Sequence, residues 1–116
     1  MTTPKPGQSV RGSTTGRPIM VALDLLGRRW ALRIGWELRD GPHNFNQLQR
    51  RCDGISPSVL TQRLKEQLDF GNVARDASGA YALTDQGGEL AAIMSQLEGW
   101  SQAAVRRWKR RGSPKR

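Results

Sequence analysis

Histidine and cysteine are almost absent from this chain: among 116 residues there is one of each. A lone thiol, Cys52, can close no internal disulfide and cannot build a zinc site. With His43 as the only imidazole, there is no Ser/His/Asp set for nucleophilic catalysis. No GxxxxGK[ST] phosphate loop occurs, and the acids are scattered rather than clustered as metal ligands. Neither an enzyme nor a metal or cofactor is expected. Long apolar runs are missing as well. None approaches the roughly 18 residues that a bilayer span requires, and the opening "MTTPKPGQSVRGSTTGR" lacks the apolar stretch of a signal peptide. The expectation is a cytoplasmic protein with no membrane role.

One further absence is local. Residues 106–116, "RRWKRRGSPKR", contain no acid. They hold seven of the 19 basic residues, which leaves 12 against 10 acids in the rest of a chain of net charge +9. The body is close to balanced, and the basic tail carries most of the excess. Such a tail suits salt-sensitive phosphate binding, although a solvated extension has the same composition.

What is present is a sequence of short amphipathic segments, in a length that suits one domain. Residues 1–16 have no period and read as a disordered arm. "RPIMVALDLLG" predicts a first helix over 17–27, with Pro18 in its first turn. "RRWALRIGWELRDGP" predicts a second over 28–42. Gly35 inside it marks the close approach of another element. "NFNQLQRRC" predicts a third over 44–52, with Asn44 and Gln47 spaced as a capping box.

A fourth helix starts at Ser56, an N-cap followed by Pro57. Leu60 and Leu64 mark its packing side, while Ser58, Gln62 and Lys65 face away and Thr61 flanks them. Gln67 falls on the packing side, where an amide is anomalous. "NVARDASGAYALT" then changes period: strands over 73–75 and 81–83 flank a "DASG" turn. A last helix over 84–111 starts at a Thr84 cap. Its apolar stripe is longer than a small body can cover, so part of it should meet a second subunit.

Three helices, a fourth with a short-chained polar outer face, a hairpin and a long helix describe a winged helix: mainly α, with a small β-hairpin wing. Ser56, Ser58, Thr61, Gln62, Arg63 and Lys65 on the fourth helix are the candidate DNA contacts of a recognition helix. Asn44, Asn46, Arg50, Arg51, Arg75 and Ser78 are candidates for backbone and wing contacts. For Arg63 an ion pair inside the helix-turn-helix is an equal alternative. Arg28 and Arg29 open a helix against its dipole, which suits a phosphate or an acid as partner, with a solvated pair as an equal alternative. Trp30, Trp36 and Trp100 are read first as packing residues, and second as the lining of a pocket for a small aromatic effector.

The pieces "ALDLLGRRW", "ELRDGPHNFNQLQRRCDGISPSVLTQRL" and "YALTDQG" resemble the HxlR family of bacterial winged-helix transcription regulators, relatives of the MarR type. The resemblance spans roughly residues 17–105. It implies a homodimer on a palindromic operator in double-stranded DNA, acting as a repressor. The first and last helices would form the interface through Ile19, Leu23, Leu90, Ile93, Met94, Leu97, Trp100 and Trp108. The alternative is a winged-helix module that binds protein partners, with DNA binding weak or lost. Three departures stand out. Many members carry a sensor cysteine just before "PI", where this chain has Arg17, while Cys52 lies on the third helix. The wing is short and includes Asp76. Gln67 and Asn72 stand where leucines are common, so either the core is looser there or a polar partner is buried nearby.

Overall fold

A computed structural model describes residues 16–112. The chain runs α1 (Pro18–Leu26), α2 (Ala31–Glu37), α3 (Phe45–Arg51), α4 (Pro57–Phe70), β1 (Val73–Arg75), β2 (Tyr81–Leu83) and α5 (Asp85–Arg110). Most of the expected arm, residues 1–15, lies outside the described residues. Among the described residues no helix is long and apolar enough to cross a membrane.

The caps follow the local chemistry. Asn44 Oδ1 accepts from the Gln47 N–H at 2.8 Å, and Gln47 Oε1 accepts from the Asn44 N–H at 2.8 Å, so the capping box is formed. Ser56 Oγ accepts from the Val59 N–H at 3.2 Å, and Thr84 Oγ1 accepts from the Gly87 N–H at 3.1 Å.

The second helix differs from expectation. It covers Ala31–Glu37, not 28–42, because Trp30 sits at φ 77° in the left-handed region. A bulky residue there costs roughly 1–2 kcal/mol and interrupts a right-handed helix. Arg28 to Trp30 therefore form a turn, which sets Arg28 against α4. Past Glu37 the backbone continues as tight turns, with Arg39 N–H on the Trp36 carbonyl and Gly41 N–H on that of Leu38.

β1 and β2 pair antiparallel, with Val73 opposite Leu83 and Arg75 opposite Tyr81. The turn between them depends on Gly79 at φ 87°. It also depends on Asp76, whose Oδ1 accepts from the Ser78 N–H, the Ser78 hydroxyl and the Ala80 N–H. His43 pairs with Tyr81 through two backbone hydrogen bonds of 3.0 and 2.8 Å, which pins the hairpin to the loop before α3.

One core holds these parts in register. Ile34, Leu38, Leu48, Cys52, Ile55, Leu60, Leu64, Val73 and Tyr81 pack together, so α2, α3, α4 and the hairpin share one apolar centre. The start of α5 packs on this body and needs small neighbours to do so. A Cβ on Gly87 would lie 2.0 Å from the Asn72 carbonyl oxygen, and one on Gly35 would lie 3.2 Å from Met94 Cε. Gly35 thus marks the close approach that its position in a helix implied.

Candidate nucleic-acid interface

The amphipathic pattern of α4 decides which side chains reach solvent. Leu60 and Leu64 are buried, whereas Ser56, Ser58, Thr61 and Lys65 are exposed and Gln62 is partly so. Near the N-terminus the exposed side chains are short and can both donate and accept. Thr61 Oγ1 also donates to the Pro57 carbonyl at 2.9 Å, and Lys65 pairs with Asp69 at 3.3 Å. The helix has 14 residues and begins in an exposed loop. Its partial positive end therefore faces outward beside this polar strip.

Beside the strip lies a group that sequence reasoning missed. Glu66 should be half-exposed by helical geometry, yet it is 1% exposed. Arg28 Nη1 lies 2.8 Å from its carboxylate, and Arg63 Nη1 lies 3.2 Å away. Gln62 Nε2 donates to the same carboxylate at 3.1 Å, and Arg28 also pairs with Asp24 of α1 at 3.0 Å. The turn before α2 covers Glu66, which is a long-range effect that α4 alone does not encode. Arg28 thus has acids as partners, one of the two kinds that suited its position. Arg63 is directed inward, with Nε donating to the Arg29 carbonyl at 2.8 Å. Its guanidinium is a brace for α4 rather than part of the outer strip.

The flanking candidates divide in the same way. Arg51 pairs with Glu37 at 3.1 Å and Asp40 at 3.5 Å, while Arg33 pairs with Glu37 at 2.8 Å. Arg51 therefore ties α3 to the end of α2. The Asn44 side chain caps α3, and the Ser78 hydroxyl is held by Asp76 at 2.6 Å. Asn46 and Arg50 are exposed on α3. Arg75 is exposed on the wing, with its guanidinium 5.0 Å from the Tyr81 ring centre and Nε donating to the Gly79 carbonyl at 3.3 Å. Hydrogen bonds, that of the Ser78 side chain foremost, hold the Asp76 carboxyl below the usual carboxylate range.

The anomalous Gln67 has the buried polar partner its position required. Asn72 Nδ2 donates to Gln67 Oε1 at 3.0 Å, and Asn72 Oδ1 accepts from Gln86 Nε2 at 2.8 Å. Gln67 and Asn72 are thus bonded to each other, and with Gln86 they link α4, the start of the hairpin and α5. Gln67 Nε2 stays buried without a hydrogen-bond partner among the described residues.

The expected interface residues are mostly at the surface. Ile19 and Leu23 on α1 are 59% and 56% exposed, and Ile93 and Trp100 on α5 are both 63% exposed. Leu97 and Trp108 continue the α5 stripe, and Leu90 is half-buried. Met94 departs from expectation: it is buried at 6% because it fills the space beside Gly35. Two hollows beside the candidate tryptophans are each lined by one of the three. Trp36 lines an open groove of about 420 Å³ with Leu32, Arg33, Met94, Leu97, Glu98 and Ser101. Trp30 lines a separate hollow by Leu26 and Arg28, and Trp100 lines neither. Cys52 is wholly buried, and burial foremost pushes its thiol up from the ordinary range, so it is held as the unreactive thiol.

Comparison with known proteins agrees with this architecture. The family described as HxlR-like helix-turn-helix matches residues 25–109. The uncharacterized HTH-type transcriptional regulator YvaP of Bacillus subtilis is 34% identical over 86 residues, covering 69% of this chain and 80% of that protein. The crystal structure of quinone-bound YodB from B. subtilis superposes with a TM-score of 0.67 at 34% identity, covering 74% of this chain and 97% of that one. That of a possible HxlR family transcriptional factor from Thermoplasma volcanium also has a TM-score of 0.67, at 30% identity and coverages of 77% and 85%. These relatives are regulators, not enzymes. The chain belongs to the HxlR-like helix-turn-helix family and is a transcriptional regulator of the helix-turn-helix type with a winged-helix fold.

Proposed function

We propose that this chain is a homodimeric repressor that binds a palindromic operator in double-stranded DNA. The observation that carries the reading is the outer strip of α4, where Ser58, Thr61, Gln62 and Lys65 project from a helix fixed by Leu60, Leu64 and the Glu66 cluster. Hydroxyl, amide and ammonium groups on one helix face match the donor and acceptor edges of the major groove. Ser56, Asn46, Arg50 and Arg75 stand around the strip, where they contact phosphates and fix register. Residues 17–105 form the binding and dimerisation unit. Ile19, Leu23, Ile93, Leu97, Trp100 and Trp108 cover one another across the two-fold axis, which sets two α4 helices one helical turn of DNA apart.

The groove beside Trp36 takes a flat apolar effector, because its walls are largely aliphatic and aromatic and one of them is the dimer helix α5. A quinone occupies the YodB relative. Here the buried Cys52 is not the receptor, so recognition is non-covalent. The rival reading, a module for protein partners, draws on Gln62 and Lys65 both being engaged by acids of their own helix. Selection from a pool of random 30-base-pair duplexes at about 150 mM salt separates the two. The repressor enriches an inverted repeat whose half-sites lie about 10 base pairs apart, centre to centre. A pool that stays random favours the module.

A further inference from the structure

We propose that the C-terminal end of α5 is a second, sequence-independent binding surface for the phosphate backbone of duplex DNA, separate from the α4 strip. Arg106, Arg107, Lys109 and Arg110 lie on regular helix, and Arg111 closes it with its N–H on the Arg107 carbonyl. All five are exposed, and among the described residues none has a carboxylate partner. No acid occurs in the sequence after Glu98.

Elsewhere among the described residues the cations are divided. Arg28, Arg33, Arg51, Arg63 and Lys65 are paired with acids, whereas Arg29, Arg39, Arg50 and Arg75 have no carboxylate partner but stand singly along the sequence. The end of α5 is therefore the one run of consecutive uncompensated cations among the described residues. Duplex DNA, with one negative charge per roughly 1.7 Å of axis, is the complementary polymer.

Helix geometry lets this surface work while the dimer stripe is covered. At about 100° per residue, Arg106 and Arg110 fall roughly opposite Trp108, Arg107 and Lys109 lie about 100° to either side of it, and Arg111, at the helix end, falls about 60° away. Trp108 continues the stripe of Leu97 and Ala104, so packing that stripe against a second copy leaves Arg106, Lys109 and Arg110 in solvent. Arginine suits the role because its planar fork matches phosphate oxygens. A membrane surface fits less well, since Arg106 and Arg110 lie opposite a narrow apolar stripe and no broad apolar face adjoins the cations.

The test uses the full chain and a random-sequence 30-base-pair duplex, with affinity measured between 50 and 200 mM salt. One variant carries Arg106→Gln, Arg107→Gln, Lys109→Gln, Arg110→Gln and Arg111→Gln. It removes charge while keeping Trp108 and good helix formers. A second replaces the four arginines by lysine. Each lost phosphate contact should flatten the log–log salt slope by about 0.9, so the glutamine variant, which removes five cations, should lose up to about 4.5 units and bind at least tenfold more weakly at 50 mM. The lysine variant should keep most of the slope.

A slope change below one unit in the glutamine variant, or an equal loss in the lysine variant, overturns the proposal. Tighter binding of the unmodified chain to phosphatidylglycerol vesicles than to duplex at the same salt also overturns it. Failure of the unmodified chain to select an operator would strike the repressor reading alone, because the present test needs only random DNA.

Discussion

Two populations of cations coexist in this chain, and they do different work. Around α4 three guanidinium groups are held by acids: Arg28 and Arg63 close on Glu66, and Arg51 closes on Glu37 and Asp40, while Arg50 and Arg75 stay exposed. At the end of α5 the arginines face solvent with no acid near them in sequence. The first population sets the shape of the helix-turn-helix, and the second supplies charge. A net charge of +9 therefore says little about where bases are read. The proposed reading surface combines Ser58, Thr61 and Gln62 with one cation, Lys65, next to arginines that hold α4 in place.

Glu66 is where the inward arginines depend most on a partner. Glu66→Ala leaves Arg28 buried beside α4 without its main partner, and should cost about 3–5 kcal/mol of unfolding free energy in urea. Replacing both members, Arg28→Met with Glu66→Met, should recover part of that loss, because the apolar pair needs no charge compensation while Asp24 and Arg63 each lose one ion-pair contact. A small effect in the single variant would mean that the inward arginines do not brace the fold.

A smaller loss is expected where the buried contacts are neutral. Gln67→Leu strands the amide of Asn72 and should cost about 1–3 kcal/mol. Adding Asn72→Leu should reverse the sign of that change, since a leucine pair fills the space with no polar atom to satisfy and Gln86 can turn to water. Equal stability of all three proteins would show that the amide pair is not sealed from solvent.

Neutralising Arg106, Arg107 and Arg110 belongs at the low end for stability, within about 0.5 kcal/mol, even as it weakens DNA binding. A large loss of stability would merge the two populations.

The smallest effect concerns the wing. Folding lowers the Asp76 carboxyl below its ordinary value. The turn's stabilisation is thus present above the ordinary carboxylate pKa and is lost as pH falls through the lower folded value. Between pH 5 and pH 2 the amide resonances of Ser78 and Ala80 should move, while those of the α4 core stay until global unfolding. Movement beginning near pH 6 would contradict the assignment.

How legible these features were in the sequence depended on how local their causes are. The caps at Asn44, Ser56 and Thr84 and the strands over 73–75 and 81–83 follow from neighbours a few residues away, whereas Gly35 signalled a close approach whose partner, Met94, only the fold supplied. Trp30 was not legible, because nothing in "GRRW" requires a left-handed tryptophan until the turn is closed against α4. Glu66 was missed for the same reason: its cover arrives from residue 28. Gln67 was half legible, since helix geometry exposed the anomaly and only the fold supplied Asn72 as the answer. Within the candidate site, the polar strip could be read from periodicity. Which arginines reach outward could not, because pairing across elements decides it.

The central claim is that the outer strip of α4 reads bases, and Gln62 is its most direct probe. With the selected operator and all its single-base variants as ligands, Gln62→Ala should lose about 1–3 kcal/mol of discrimination at one position in each half-site and little elsewhere. Unchanged discrimination at every position, with the inverted repeat still bound, would contradict the placement of α4 in the groove.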